Sequence, residues 1–194
     1  MTVPPRSEFH KAWENLRYPI KVALREVAKT EKKNVHYVGA LLVVIAAEGL
    51  SLLLGHNRPD EVFVRELIMP HEAKSGVTDL MAQDLWLALR HGLAHTYDTK
   101  FIKVDDQLVE VAVSWEEIPH LSASTSPPRI YLNLETMRQD LDRVFERHNR
   151  EFWSDSEKAL PERWKQERLT RAQDGALRDW RSFLKKGAAD GPTR

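Results

Sequence analysis

From Leu89 to Asp98 the sequence reads LRHGLAHTYD. Two histidines, an arginine and a tyrosine crowd into this stretch, at the end of a run with helical apolar spacing. Imidazole takes or gives a proton near neutral pH. Guanidinium holds a phosphate with two parallel hydrogen bonds and stabilises charge as it develops. The same residues allow a second reading. His91 and His95 stand i, i+4, the spacing at which a helix presents two imidazoles to zinc. Gly92 occupies the place of the zincin glutamate, so a third ligand has to come from Glu48, His71, Asp98 or His120. In a third reading there is no catalysis. The polar groups cap a helix end and stabilise a dimer, leaving a helical interaction module.

The arginine–histidine spacing is weak on its own. RVFERH repeats it from Arg143 to His148 within a charged helical pattern. Context separates the two. Arg90 is followed by the polar His91, then by Gly92, Leu93 and Ala94, then by His95, Thr96 and Tyr97. At about 100° per residue, Arg90 and His95 point about 140° apart on an ideal helix. One regular helix therefore does not aim both at one phosphate. Either the helix loosens at Gly92, or two copies of the chain combine their motifs across a dimer axis.

RHGLAHTY resembles the motif of the HEPN superfamily, which is arginine, a polar residue, three further residues and histidine. It also matches, position by position, the extended form R-x-x-x-x-H-x-Y of the toxins in HEPN/nucleotidyltransferase pairs. The resemblance implies a HEPN-like helical bundle over residues 8–150 and a metal-independent endoribonuclease, a toxin or defence component. It implies a homodimer with the cleft at its interface, RNA as substrate and no cofactor. The RNA's own 2′-hydroxyl would be the nucleophile. His95 would then be the acid/base, Arg90 would bind phosphate, and His91 would orient them or pack nearby. In the paired toxins the residue matching Tyr97 accepts AMP from a partner nucleotidyltransferase, which acts as the antitoxin.

Glu48 is the second informative residue. It lies in the middle of VGALLVVIAAEGLSLLLG, residues 38–55, a run nearly long enough to cross a bilayer, where an ionised carboxylate is costly. The segment is read as the central buried helix of a soluble bundle, with no membrane partner. A buried carboxylate must be neutral or paired. A structural partner would be a tyrosine or a backbone amide. A functional one would be Arg90, His91 or His95, and HEPN domains often carry a polar residue in the matching helix.

Composition narrows the classes. The chain has 194 residues, 42% hydrophobic and 30% charged, the balance of a soluble globular protein. Lys+Arg and Asp+Glu both number 29, so no global positive field recruits nucleic acid and any such binding needs a local patch. The absence of cysteine excludes disulfides, thiolate nucleophiles and Cys-ligated zinc. MTVPPRSEFHKAW has no apolar signal core, so a cytoplasmic location is expected. No P-loop, G-x-S-x-G elbow or dinucleotide fingerprint occurs.

The elements that must position the motif are mostly helices. Phe9, Trp13, Leu16, Ile20, Leu24 and Val27 keep helical spacing over 8–31, interrupted by Pro19, which predicts two short helices or one kinked one. A helix over about 34–54 ends at Gly55. RPDEVFVRELI, 58–68, starts another, and HEAKSG, 71–76, reads as a loop. Thr78 can cap the motif helix, on which Met81, Leu85, Ala88, Leu89 and Gly92 form an apolar face. The period then switches to two: TKFIKV and QLVEVAVSW flank an Asp105-Asp106 turn and predict a β-hairpin. PHLSASTSPP, 119–128, reads as a loop, RIYLN as a third short strand, and 134–148 as an amphipathic helix. The expected fold is a mostly α bundle with a small antiparallel β element inserted at 99–133, after the motif helix. Residues 151–186 read as a charged helical extension and 187–194 as a disordered tail.

Overall fold

The apolar stripe of the first helix survives its proline. Helix α1, Glu8–Ala28, runs unbroken with Pro19 inside it. A proline in a helix interior costs about 3 kcal/mol, but both halves bury their apolar faces. Phe9, Ala12 and Trp13 lie before the proline, Ile20 and Leu24 after it, and all are buried. The chain thus forms one helix rather than two short ones. The computed structural model describes residues 8–30, 35–95, 101–104, 106–116, 118–153, 161–162 and 164–165, without the side chains of 74, 93–95 and 149–153.

Helix α2, Val35–Leu53, is the apolar segment. By length and composition it could cross a membrane, yet here it packs against α1, the motif helix and the last helix. Ala40, Val43, Val44, Ala46, Ala47, Leu50 and Leu53 are buried, whereas Val38 and Ile45 face outward. Gly49 lets α1 come close: a Cβ there would sit 2.9 Å from a methyl carbon of Leu16. Gly55 ends the turn at φ +79°, a conformation only glycine adopts freely.

The next segment corrects the sequence reading. The chain is helical from Glu61 to Ser75, first α, then a π turn over Phe63–Ile68, a 3-10 turn over Met69–His71 and the single turn α3, Glu72–Ser75. Residues 71–75 were expected in a loop. Pro70 does not stop the helix because it sits in the first positions of the 3-10 turn, where its missing N–H is not needed. Gly76, at φ +69°, stops it instead.

Helix α4, Asp79–His95, carries the motif. Thr78 caps it, its Oγ1 accepting the Met81 N–H at 3.4 Å. Strands β1, Phe101–Val104, and β2, Gln107–Ser114, form the expected antiparallel hairpin. Strand β3, Ser122–Thr125, lies in the segment expected to be a loop, and β4 is Pro128–Asn133. The sheet order is β1-β2-β4-β3. β3 pairs antiparallel with β4, but β4 runs parallel to β2, Val111 opposite Ile130, so the sheet is mixed rather than antiparallel. The connection after β2 carries the chain past one strand position; β3 returns along the outer edge, and β4 fills the slot between.

Asn133 joins sheet to helix. Its Nδ2 donates to the carbonyls of Glu116 and Ile118 at 2.8 and 3.1 Å, while its Oδ1 accepts the Thr136 N–H at 2.8 Å. That is an N-cap, and helix α5, Leu134–Trp153, follows, five residues longer than its sequence pattern suggested. Its buried Leu134, Met137, Leu141, Val144 and Phe145 close the core, Phe145 meeting Trp13 edge-on with centroids 5.4 Å apart. The architecture is mostly α with a small sheet.

The chain divides into two units, Met1–Pro161 and Glu162–Arg194. Every element above belongs to the first. Of the second, Glu162, Trp164 and Lys165 are described, with Lys165 paired to Glu162 at 2.7 Å. Of the charged extension expected at 151–186, residues 151–153 continue α5 and nearly all the rest falls outside the described residues, as the tail at 187–194 does wholly.

Candidate functional site

The motif helix presents its polar residues on different faces. Leu85 and Leu89 turn inward and are buried. Arg90 follows Leu89 and lies between core and solvent, its side chain 32% exposed. There it donates its Nε–H to Oε2 of Glu48 at 2.9 Å. Glu48, with a side chain only 11% exposed, stands on the apolar helix α2. The pair therefore spans the contact between the buried helix and the motif helix. Among the partners considered for Glu48 from sequence, Arg90 is in hydrogen-bond contact with it. The bond uses Nε, and among the described residues no other acceptor engages this guanidinium.

The arrangement has a clear electrostatic logic. A carboxylate this deep loses most of its hydration, and a guanidinium at hydrogen-bond distance offsets that loss. Arg90 is in turn held at Nε, and its terminal amino groups take no part in that bond. A guanidinium so held is pre-organised to bind an anion.

His91 lies one residue further round the helix and is exposed. With Asp84, Leu87 and Ala88 of α4 and Phe101, Ile102 and Lys103 of β1 it lines an open cleft of about 340 Å³. The backbone remains α-helical through Gly92 to His95. The backbone does not loosen at Gly92, so positions 90 and 95 keep the roughly 140° separation of a regular helix. The side chain of His95, together with Tyr97 and Asp98, lies outside the described residues.

Three of the four suggested third metal ligands are engaged elsewhere. Glu48 holds Arg90. His71 Nε2 is 2.8 Å from Oδ2 of Asp140, a carboxylate buried to 3% exposure, whose other oxygen meets Arg143. His120 packs edge-on against His71, with centroids 4.8 Å apart, and its Nδ1 accepts the Asn133 N–H at 3.1 Å. Burial, and then the neighbouring His71, lowers the His120 pKa from 6.5 to about 4, against a smaller opposing effect from the Leu67 backbone. Among the described residues, no group of three His, Asp or Glu side chains is placed to hold a metal ion.

This His71–Asp140–His120 cluster was missed as a unit. Its hydrogen bond joins residues 69 positions apart, on three elements with no shared spacing, so no sequence pattern marks it. Arg143, half of the decoy spacing, belongs to it, and His148 stands beside the Trp13 ring at 6.4 Å.

Compared with family models, with curated proteins and with solved structures, the chain matches none.

Proposed function

We propose that the chain is a HEPN-like, metal-independent endoribonuclease acting in the cytoplasm as a toxin or defence component. The observation that carries this reading is the Arg90–Glu48 pair, which anchors the motif arginine to a buried helix at the end of α4 that leads into His91 and His95. A surface ion pair needs no such anchor. An arginine that must meet phosphate in one orientation does.

In the proposed reaction the 2′-hydroxyl attacks the adjacent phosphorus while His95 takes its proton. The bond to the 5′-oxygen breaks, leaving a 2′,3′-cyclic phosphate, and protonated His95 returns the proton to the departing 5′-oxygen. Arg90 holds the non-bridging oxygens as their charge grows. No metal or cofactor is invoked. The unbroken helix favours a site composed from two chains, so the reading includes a homodimer. Tyr97 is the proposed AMP acceptor for a partner nucleotidyltransferase, and the adduct's anion would repel the substrate phosphate.

The test is cleavage by purified full-length chain. RNA should be cut and DNA spared, because DNA lacks the attacking hydroxyl, and activity should survive excess chelator. His95→Ala should lose at least the ~10²-fold typical of an acid/base group. Arg90→Lys, which keeps a cation for Glu48 but loses the planar fork, should lose activity without unfolding. His148→Ala should cut as the wild type does. Loss of activity in chelator, regained with zinc, would support the His91/His95 metal site instead. Cleavage persisting equally in all variants would mark a contaminating nuclease and sink the assignment.

A further inference from the structure

The cleft between α4 and β1 has the chemistry of a nucleobase site, and we infer that it binds a guanine base of single-stranded RNA. The inference rests on the ribonuclease reading, because it names what the same protein selects in its substrate. At about 340 Å³ the cleft lies within the ~300–1,000 Å³ range of small-ligand sites. Its open form suits one base of a longer strand, whose backbone must enter and leave.

The walls divide into an apolar surface and a polar rim. Asp84, Leu87, Ala88 and His91 stand at i, i+3, i+4 and i+7, so one face of α4 supplies them all. Phe101 on the edge strand is 55% exposed and Leu87 43% exposed. An aromatic ring left open beside a leucine on a cleft wall is a stacking platform, and every base has a flat face to lay on it.

Asp84 sets the choice of base. It is exposed, and no cation pairs with it among the described residues. An ionised carboxylate only accepts hydrogen bonds, through two oxygens side by side. Guanine alone presents two adjacent donors, N1–H and N2–H, on its pairing edge. Adenine and cytosine place a ring acceptor beside their amino group, which a carboxylate repels, and uracil flanks its single donor with two carbonyls.

Lys103 completes the rim. It pairs with Asp106 at 3.1 Å, but both side chains are largely in water, and such a pair exchanges readily for another anion. The strand phosphate beside the bound base supplies one. His91 belongs to both the cleft and the motif, so a base seated here places its neighbouring phosphate on the motif side of α4.

The experiment titrates the isotopically labelled full-length chain with guanosine, adenosine, cytidine and uridine 5′-monophosphates, followed by amide NMR shifts. Guanosine monophosphate should bind best and move the amides of His91, Phe101 and Ile102. Asp84→Asn should weaken it about tenfold and erase the preference, since an amide offers one acceptor rather than two. Phe101→Ala should cost roughly tenfold for all four nucleotides, and Phe101→Tyr should restore binding. Four nucleotides binding alike, none binding, or shifts confined to other surfaces would overturn the site. An enzyme that cuts RNA with no preference for guanosine and ignores the monophosphates defeats this inference alone. A chain that selects guanosine monophosphate yet cuts no RNA defeats the ribonuclease reading and leaves the site standing.

Discussion

Arg90 on the motif helix and Glu48 on the apolar helix are joined by one hydrogen bond of 2.9 Å. The two are unequally buried, with side chains 32% and 11% exposed. Removing the arginine takes a charged partner from the more deeply buried carboxylate, whereas removing the glutamate leaves a cation that water can reach.

Arg90→Ala should therefore cost more stability than Glu48→Ala at pH 7, about 3 kcal/mol against about 1. Urea unfolding of both single variants and the double variant measures this. Additive effects, with no coupling between the positions, would show that the pair does not hold the helices together.

How much of this site was legible in the sequence follows from how local each signal is. Helical period and a lone charge in an apolar run identified α2, α4 and the need for Glu48 to find a partner. They could not choose among tyrosine, amide, Arg90 and the histidines, because that choice depends on how two helices cross. β3 was hidden because Ser-Ala-Ser-Thr has no apolar alternation and an edge strand needs none. The parallel pairing of β2 with β4 depends on the path of a loop. Residues 71–75 looked like a loop because proline and glycine bracket them, yet one is a tolerated start and the other a true stop. The His71–Asp140–His120 cluster gathers three distant elements and was invisible for that reason.

His120 should make the fold sensitive to mild acid. Its pKa lies near 4 in the folded chain and at 6.5 when exposed. Between those values the unfolded state binds more protons than the folded one, so stability is full above pH 6.5 and falls as pH drops towards 4. The loss amounts to roughly 3 kcal/mol. His71, Asp140 and Arg143 stand around it and are themselves ionisable, so the contribution is isolated by difference. His120→Asn retains an acceptor for the Asn133 N–H but cannot titrate. Melting temperatures of wild type and variant should diverge across this window, the wild type falling more steeply. Parallel curves would assign the acid sensitivity to other groups.

Tyr97 should gain the mass of one AMP group when the chain is incubated with a cognate nucleotidyltransferase and ATP. Intact-mass measurement reads it directly. The modified chain should lose RNA cleavage, and Tyr97→Phe should neither gain mass nor be silenced. A mass gain that persists in Tyr97→Phe would place the modification elsewhere.

The unbroken helix through Gly92 makes the sharpest demand. On an ideal helix positions 90 and 95 lie about 140° apart, which is the ground for proposing a site shared by two chains. If two chains build the site, the protein should sediment as a dimer at micromolar concentration, and inactive variants should rescue each other. Arg90→Lys and His95→Ala, mixed under conditions that let subunits exchange, form dimers in which one composite site carries both lesions and the other none. With random exchange half the dimers are mixed and each has one intact site, so about a quarter of wild-type activity should return. A site contained within one chain gives no rescue, since every chain in the mixture carries a lesion. A dimer that shows no rescue would retain the interface but refute the shared site.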